Sequence, residues 1–374
     1  MEEYLGKDIP KLGFGLMRLP RIEKNVDVEQ VKKMVDLFLD RGFTYFDTAY
    51  IYKDSEDTVR EALAKRHPRD SYQLATKLPA WKASTKKEAE QLFWTSLKRC
   101  GVSYFDYYLL HNFGGKRSHY FYKYDMWEFA FKLKEEGFIR HLGLSLHDKA
   151  SHLDELLTRH PEVDFVQLQI NYLDWDSPIH ESQKCYETAR RHNKPIIVME
   201  PVKGGNLMNL PPAAVDAFAA LDPSASLASW AIRYAASLEG IITVLSGMST
   251  ITQVEDNTSL MASFKPLSKE EMAAIETARA AILQVPSVPC TYCGYCLPVC
   301  RQKVFIPGIL AALNLYLVFN NGKEARFEYR WNTSDEDQKP ASACIDCGDC
   351  ELVCPQRLPI IEELKKARGL FEPA

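Results

Sequence analysis

The stretch FTYFDTAYIY at residues 43–52 contains a short β-rich run, Thr44–Asp47, that ends on a carboxylate. The segment before it, Val28–Asp40, has apolar residues at helical spacing. Beyond residue 52, further β-rich runs alternate with helical stretches such as Lys86–Arg99. These runs are Gln73–Lys77, Tyr107–His111, Leu142–Ser145, Val166–Gln169, Ile196–Met199 and Ile242–Ser246. The alternation is typical of a parallel sheet with crossover helices.

A weaker β-rich run at Ser263–Lys265 brings the strand–helix units to eight. Eight units in a segment of about 250 residues have the size of a (β/α)₈ barrel. The alternative is an open doubly wound sheet, but the GxGxxG fingerprint of that fold does not follow the first strand. We therefore predict an α/β protein whose main domain is a (β/α)₈ TIM barrel.

Polar or ionisable residues end five of the predicted strands, whose interiors are apolar. They are Asp47, Lys77, His111, Ser145 and Gln169. The carboxyl ends of the strands meet at one face of a barrel, where the active sites of this fold are built. The pattern therefore predicts a functional site at the mouth of the barrel.

Four residues predicted at this mouth can together donate a proton to a substrate: Asp47, Tyr52, Lys77 and His111. A free phenol has a pKa of about 10 and is a poor acid at neutral pH. The Lys77 ammonium should stabilise the phenolate of Tyr52 and lower that pKa, with Asp47 as its counter-ion. We expect His111 to hydrogen-bond and orient a substrate carbonyl, whose oxygen Tyr52 protonates.

Eight of the ten cysteines fall in two runs with the spacing of a bacterial two-cluster ferredoxin. Three thiolates with two residues between neighbours can surround one cubane from a tight loop, while the fourth, beyond a turn, reaches the other cluster. One predicted [4Fe–4S] ligand set is Cys290, Cys293, Cys296 and Cys354. The other is Cys344, Cys347, Cys350 and Cys300.

Structural zinc is the alternative for these runs, because it also uses CxxC pairs, but it leaves no role for the third cysteine of each run. Gly294 and Gly348 follow the second cysteine of each run, where a missing side chain would let the backbone approach a cluster.

The predicted domains are a barrel over residues 1–285 and a small ferredoxin-like iron–sulfur domain over 286–374.

The composition excludes some partners. The 46 basic and 50 acidic residues give a net charge of −4 without a basic block, so no nucleic-acid partner is expected. No apolar run has the ~20 residues of a membrane span, and the N-terminus lacks the apolar core of a signal peptide. We therefore expect a cytoplasmic protein with no membrane partner and with reduced cysteines. Cys100 and Cys185, outside the runs, are predicted to be buried thiols.

Several segments together resemble the aldo-keto reductase family. They are FTYFDTAYIY at 43–52, ATK at 75–77, YLLH at 108–111, GLS at 143–145, QLQINY at 167–172 and SGMSTITQVEDN at 246–257. The resemblance extends to about residue 283 and implies that Asp47, Tyr52, Lys77 and His111 are the catalytic tetrad. It also implies that GFGLMRLP at 13–20 is the hairpin that floors the barrel. With its cysteine runs, the chain is similar to family members of anaerobic bacteria and archaea that carry a ferredoxin-type extension.

The resemblance also implies the cofactor contacts, and some of these positions depart from the family pattern. The implied contacts are Ser145, Gln169, Gly247, Ser249, Thr250, Gln253 and Asn257. Met199 occupies the position of an aromatic residue that stacks on the nicotinamide ring in nicotinamide-dependent members. The Asn that usually lies beside the serine of the fourth strand is replaced here, and His147 lies two residues after that serine, Ser145. Gly247 and Gln253 occupy the positions of the Lys and Arg that grip the 2′-phosphate of NADPH. Without these charge-assisted bonds, strong NADPH binding is not expected.

A phosphate cradle remains at residues 247–250, where a helix begins and its free N–H groups favour an anion. The cradle suits NAD or the single phosphate of FMN. Iron–sulfur clusters transfer one electron at a time, whereas nicotinamides transfer two as hydride. Communication between the clusters and the barrel would need a carrier that can do both, which favours FMN over a nicotinamide.

Three functions are therefore considered. The first is an oxidoreductase that acts on a small carbonyl or alcohol and exchanges electrons through its clusters, with an electron-carrier protein such as a ferredoxin or flavodoxin as partner. The second is a nicotinamide-dependent reductase with structural clusters. The third is a non-catalytic redox sensor, against which the complete tetrad argues.

Overall fold

The computed structural model describes residues 4–335 and 337–372, and two compact units divide them. The first unit comprises residues 4–201 and 228–268. Its strands are β1 (Leu12–Gly15), β2 (Arg21–Ile22), β3 (Asn25–Val26), β4 (Tyr45–Asp47), β5 (Gln73–Leu78), β6 (Phe105–Phe113), β7 (Ile139–Leu146), β8 (Phe165–Gln169), β9 (Ile196–Met199) and β10 (Ile241–Ser246). Within the described residues, eight parallel strands close into a barrel in the order β1-β10-β9-β8-β7-β6-β5-β4, while β2 and β3 form a hairpin. The predicted barrel is confirmed.

Helices follow the barrel strands, as crossover connections between parallel strands require. They are α1 (Val28–Asp40), α2 (Ser55–Val59), α3 (Lys86–Cys100), α4 (Ser118–Lys123), α5 (Met126–Glu135), α6 (Ala150–Arg159), α7 (Ser182–Arg191), α8 (Pro212–Ala219), α9 (Leu227–Ala236) and α10 (Ile251–Met261). Helix α1 shows why these segments fold as they do. Its apolar stripe buries Val31, Val35 and Phe38, and the Asp27 carboxylate caps its first turn by accepting a hydrogen bond from the Gln30 N–H at 3.1 Å.

The eighth barrel strand was predicted wrongly. Residues Ser263–Lys265 are not a strand, and β1 closes the barrel instead by pairing with β10 and β4. The sequence LGFG does not predict a strand, because it has no β-branched residue. Gly13 is required there by close packing, since a Cβ would lie 2.8 Å from Leu245 Cδ2 and 3.2 Å from Tyr45 Cδ1.

The prediction of a hairpin at GFGLMRLP, residues 13–20, which includes part of β1, is also wrong. The chain passes from β1 directly into a 3₁₀ turn, Leu16–Arg18. The two-stranded hairpin comes later, from β2 and β3, and pairs Arg21 with Val26.

The strand register explains how the polar strand ends meet. Asp47 pairs with Ala75 on the next strand, and Lys77 lies two residues after Ala75. Lys77 in turn pairs with Leu109, and His111 lies two residues after Leu109. This stagger is what the tilt of barrel strands produces. The residues two places earlier are Tyr45, Ala75 and Leu109, which belong to the apolar cluster inside the barrel. Because side chains alternate along a strand, Asp47, Lys77 and His111 also point inward.

The second unit comprises residues 202–227 and 269–372. Besides α8 it contains α11 (Lys269–Leu283), α12 (Cys296–Val299), α13 (Ile306–Phe319), α14 (Gly322–Asn332), α15 (Asp349–Leu352) and α16 (Ile360–Phe371). Ile309, Leu313 and Leu364 are buried in its core. Among the described residues, every helix is too short or too polar to cross a membrane.

The contacts divide the chain differently from the predicted boundary at residue 285. Residues 202–227 belong to the second unit, where Asn321 Nδ2 donates a hydrogen bond to Asn206 Oδ1 at 2.9 Å. Helices α8 and α11 also pack on each other there. The assignment of residues 1–285 and 286–374 to two sequence domains stays a prediction.

Candidate functional site

A buried ion pair lies at the base of the barrel mouth. Lys77 Nζ donates hydrogen bonds to Asp47 Oδ1 at 2.5 Å and to the Thr48 carbonyl at 2.8 Å. Gln167 Nε2 donates to the other Asp47 oxygen at 3.1 Å, so both carboxylate oxygens are held. Burial alone would lower the pKa of Lys77, but the charges of Asp47 and Tyr52 outweigh it and raise that pKa. Lys77 therefore stays an ammonium at neutral pH.

Tyr52 lies beside this pair in the loop after β4. The centre of its ring is 4.9 Å from Lys77 Nζ. The sequence predicts that Lys77 lowers the pKa of Tyr52, and Lys77 does act in that direction. Burial outweighs it, with added contributions from Asp47 and Glu200, so the net pKa of Tyr52 is raised above its usual value. The phenol is thus protonated at neutral pH, as a proton donor must be.

His111 completes the group at the end of β6. Its ring centre is 6.1 Å from that of Tyr52 and 5.6 Å from that of Trp81. Burial, followed by the nearby charges of Lys77, His147 and Arg117, holds the pKa of His111 well below its usual range. The imidazole is therefore neutral, with one N–H to donate. Among the described residues, its buried Nδ1 has no hydrogen-bond partner.

Ser145, Gln169 and His147 also lie at this mouth. Ser145 Oγ accepts a hydrogen bond from the Asn112 N–H at 2.7 Å, so it holds the strand end beside His111. Gln169 Nε2 donates to the buried Asp174 carboxylate at 3.3 Å. His147 is exposed at the end of β7, and its N–H donates to the Phe113 carbonyl at 2.9 Å.

The predicted phosphate cradle lies between β10 and α10. Thr250 caps α10 by accepting a hydrogen bond from the Gln253 N–H at 3.2 Å. The Gln253 side chain in turn accepts from the Ser249 N–H at 2.7 Å, so one amide of the cradle is already occupied. Asn257 Nδ2 donates to Ser246 Oγ at 2.9 Å in the buried part of the turn.

Two further predicted cofactor positions have simple surroundings. Gly247 is exposed, and an added Cβ would meet no atom closer than 3.9 Å. Met199, at the end of β9, is partly buried against the apolar cluster inside the barrel. Its side chain is a thioether, the departure from the aromatic residue of the family pattern that the sequence analysis names.

Four residues at the mouth were missed from the sequence: Trp81, Arg117, Gln167 and Glu200. Gln167 could have been found, because it precedes Gln169 by two residues and shares its face of β8. Trp81 and Arg117 lie in loops after β5 and β6, where no periodic pattern points to them. Glu200 follows Met199 in a left-handed backbone conformation, with φ of 55°.

In the second unit, the eight clustered cysteines line two cavities. One is lined by Cys290, Cys293, Cys296 and Cys354. The other is lined by Cys344, Cys347, Cys350 and Cys300. Each cavity therefore combines three cysteines of one run with the fourth cysteine of the other, in the arrangement predicted from the spacing.

The two runs fold into the same loop. Tyr292 and Asp346, at equivalent positions, have φ of 59° and 57°. Gly294 and Gly348 have φ of 78° and 81°. The positive φ of Gly348 by itself favours glycine, while the close approach of the backbone to a cluster stays a prediction.

The spacing of the thiols bears on what the cavities can hold. Across residues 4–335 and 337–372, no three His, Cys, Asp or Glu side chains converge as the ligands of a single ion would. Four cysteines line each cavity, which is the number of thiolates that one [4Fe–4S] cluster takes. Burial raises the pKa of Cys296 to about 12 and that of Cys350 to about 11. Iron must therefore displace protons when it binds.

The barrel and the cysteine sites can be compared with known families. The profile of the aldo/keto reductase family matches residues 11–280, more than half of the chain. The chain belongs to the aldo/keto reductase family. A 4Fe-4S dicluster domain matches residues 288–358, which cover the eight cysteines. This aldo/keto reductase is thus an oxidoreductase with an iron–sulfur domain after its barrel.

Curated relatives of this aldo/keto reductase are distant. The methylglyoxal reductase DkgA of Yersinia pestis is 26% identical over 209 residues, which are 54% of this chain and 70% of that protein. The 9,11-endoperoxide prostaglandin H2 reductase of Trypanosoma cruzi is 27% identical over 201 residues, which are 53% of this chain and 63% of that protein. The chain thus spans less than two thirds of the second relative.

Solved structures share the fold. The aldo-keto reductase of Bacillus halodurans in its holo form has a TM-score of 0.58 and 25% identity, covering 74% of this chain and 95% of that one. The aldo-keto reductase of Klebsiella pneumoniae in complex with NADPH has a TM-score of 0.58 and 22% identity, covering 72% and 90%. At this identity the second likeness concerns the fold alone.

Proposed function

We propose that this protein reduces the carbonyl group of a small molecule, or oxidises the corresponding alcohol, and exchanges the electrons through two [4Fe–4S] clusters. The observation that carries the proposal is the tetrad geometry. The buried Lys77–Asp47 pair lies beside a protonated Tyr52, and a neutral His111 lies across the mouth. This is the arrangement that carbonyl reduction needs.

The tetrad residues handle the proton. Reduction of a carbonyl carbon leaves negative charge on its oxygen, and the Tyr52 hydroxyl transfers its proton there, forming the alcohol O–H and a phenolate. The Lys77 ammonium, 4.9 Å from the centre of the Tyr52 ring, stabilises that phenolate. Asp47 keeps Lys77 charged and in place. In the oxidation direction the same phenolate accepts the alcohol proton.

His111 is proposed to position the substrate. A neutral imidazole donates one hydrogen bond to a carbonyl oxygen without releasing a proton. Its burial and the Trp81 ring 5.6 Å away restrict water at this side of the mouth. The carbonyl oxygen can then accept from both Tyr52 and His111.

The proposed cluster ligands are the two sets of four cysteines that line the cavities of the second unit. When bound, the clusters supply single-electron transfer. An electron-carrier protein such as a ferredoxin or flavodoxin is the proposed partner, in the cytoplasm. Methylglyoxal, named for the Yersinia pestis relative, is the first carbonyl compound to test.

For the barrel we propose FMN as cofactor, ahead of NAD and well ahead of NADPH. A flavin, when bound, accepts and delivers electrons singly or in pairs. The support is the absence of cationic side chains at positions 247 and 253, together with Met199 in place of an aromatic ring. The cradle at residues 247–250 would hold the phosphate through backbone N–H groups.

A nicotinamide-dependent reductase with structural clusters is the second candidate. The observation that favours it is the cradle itself, which fits the pyrophosphate of NAD as well as a single phosphate. A non-catalytic redox sensor is the third, and it leaves the held Lys77–Asp47 pair and the protonated Tyr52 without a role.

Cofactor titration separates the first two candidates. We expect FMN to bind the full chain most tightly and NADPH to bind more weakly than micromolar, which corresponds to about −8 kcal/mol. The measurement is isothermal titration with FMN, NAD(H) and NADP(H) under anaerobic conditions. Micromolar NADPH binding without flavin affinity would overturn the cofactor proposal.

A gain-of-function variant sharpens the same test. Gly247→Lys with Gln253→Arg is expected to raise NADPH affinity about tenfold or more, since it supplies two charge-assisted bonds to the 2′-phosphate. The lysine has room, because no atom lies within 3.9 Å of the Cβ position at Gly247. The uncharged pair Gly247→Met with Gln253→Met is the control and should show no gain.

A further inference from the structure

The first cysteine loop, 290–296, and the second, 344–350, match in burial but differ in charge. In each loop the first cysteine is half-buried, the second exposed and the third buried. Solvent exposure and nearby charge both influence the reduction potential of an iron–sulfur cluster. Since the exposure of the ligands is matched, the charged side chains become important. Two tyrosines of the first loop are aspartates in the second, at the equivalent pairs Tyr292 and Asp346, and Tyr295 and Asp349.

The backbone hydrogen bond to the first cysteine is shared by the two loops. The Asp346 N–H donates to Cys344 Sγ at 3.5 Å, and the Tyr292 N–H donates to the Cys290 sulfur. The side chains at these two positions differ. The Tyr292 phenol is uncharged at neutral pH, and its ring lies 6.3 Å from that of Phe305. The second loop carries a carboxylate instead.

The Asp346 carboxylate lies between a ligand sulfur and a cation. Its Oδ1 is 3.6 Å from Cys344 Sγ, and its Oδ2 is 2.6 Å from Lys365 Nζ on α16. Iron binds a thiolate, so Cys344 gives up its proton when it becomes a ligand. The carboxylate is then beside a negatively charged sulfur, while Lys365 balances it through the other oxygen.

Other charged side chains near the second loop are also held by partners. Glu351 accepts a hydrogen bond from the Ile361 N–H at 2.8 Å. Asp346 stands out because it contacts a ligand sulfur directly. The remaining ion pairs are Arg301 with Asp349 at 4.0 Å and Lys303 with Asp337 at 2.6 Å.

Reduction of an iron–sulfur cluster adds one negative charge to it. A carboxylate nearby therefore disfavours reduction, and an ammonium nearby favours it. Asp346 and Lys365 are both partly exposed, with 48% and 63% of their side-chain surface accessible, so water and salt weaken each effect. In the intact pair the two effects oppose each other.

We propose that Asp346 and Lys365 tune the reduction potential of the cluster held by Cys344, Cys347, Cys350 and Cys300. The inference rests on the proposed function, which places a [4Fe–4S] cluster in that cavity. Asp346 lowers the potential and Lys365 raises it. The other cluster has the uncharged Tyr292 at the equivalent position, so the pair adjusts one cluster separately from the other.

A structural role is the alternative, in which the ion pair only attaches the second loop to α16. The two roles differ in the sign of the effects. Loss of an attachment would reduce bound iron in the same direction whichever partner is removed. Loss of a tuning charge would shift the potential upward without Asp346 and downward without Lys365.

The test is an anaerobic redox titration of the full chain, followed by electron paramagnetic resonance. Asp346→Asn should raise the equilibrium constant for one-electron reduction of this cluster about tenfold, which is ~59 mV. Lys365→Met should lower it about tenfold, and the double variant should lie within about twofold of the wild type. Each shift should shrink in 1 M salt, where the screening length is about 3 Å.

Two controls assign the signals. The same variants are made in a Cys354→Ser chain, which is expected to keep only the cluster at the second loop. Lys366→Met removes a neighbouring cation, whose Nζ is 2.9 Å from Glu363 Oε1, and should leave the potential unchanged. Iron analysis and thermal melting check that each variant keeps its cluster and fold.

Unchanged potentials, or shifts of the same sign in Asp346→Asn and Lys365→Met, would overturn the inference. Loss of iron in both single variants would assign the pair a structural role and also overturn it. With clusters present, these results leave the proposed function standing. Opposite shifts in a protein that reduces no carbonyl compound contradict the proposed carbonyl chemistry alone, whereas a wild type without any reducible cluster contradicts both proposals.

Discussion

Replacing Tyr52 with phenylalanine is expected to lower the turnover of carbonyl reduction by ~10²-fold or more while leaving the fold intact. The change removes only the hydroxyl whose proton is transferred. The ring would keep its place beside Lys77, 4.9 Å from Nζ, and Lys77 would keep its hydrogen bonds to Asp47 and to the Thr48 carbonyl. Steady-state kinetics with a carbonyl substrate measures the effect, and cofactor affinity should change little.

Tyr50→Phe is the matched control for this variant. Tyr50 lies two residues away in the same stretch, and its ring contacts the Arg99 guanidinium, whose carbon is 4.4 Å from the ring centre. Removing its hydroxyl should leave turnover within about twofold of the wild type, as expected for a residue outside the proton path. If Tyr52→Phe retained near-wild-type turnover, another group would have to be the acid.

Replacing Cys354 with serine is expected to reduce bound iron from about eight atoms to about four. The lost cluster should be the one proposed at Cys290, Cys293 and Cys296, because Cys354 lines their cavity. The cluster proposed at Cys344, Cys347 and Cys350 should remain. Iron and sulfide analysis after anaerobic purification gives the count.

Double variants show which cluster is lost. Adding Cys290→Ser to Cys354→Ser should cost no further iron, whereas adding Cys344→Ser should remove the second cluster as well. Cys185→Ser, at a buried cysteine outside both runs, is the control and should keep all the iron. Stoichiometric zinc without sulfide would contradict the cluster assignment, and the reverse pattern in the double variants would contradict the exchange of the fourth cysteine.

Much of the barrel could be predicted because its strands are apolar runs that end on polar residues. Asp47, Lys77 and His111 are far apart in sequence, yet a regular stagger brings them together. The arrangement therefore follows from strand positions alone. The two sets of four cysteines could be predicted for a similar reason, since the spacing of each run limits which thiols can share a cavity.

Other features depend on tertiary packing that leaves no mark in the local sequence. β1 is LGFG, a poor strand by composition, and it forms because Gly13 fits between Leu245 and Tyr45 inside the closed barrel. The net pKa of Tyr52 depends on how much water burial removes, and this outweighs the Lys77 charge that the sequence reveals. Trp81 and Arg117 come from irregular loops, so the sequence could not predict that they lie beside His111.

Transient kinetics can show whether the clusters and the tetrad take part in one reaction. The FMN-loaded protein is reduced anaerobically, freed of excess reductant and mixed with a carbonyl substrate, beginning with methylglyoxal, while the visible absorption of the clusters is followed. We predict that this absorption recovers together with alcohol formation and that both slow by ~10²-fold in Tyr52→Phe. Clusters that stay reduced while NADPH alone supports rapid reduction of the same carbonyl would show that the clusters take no part in the reaction.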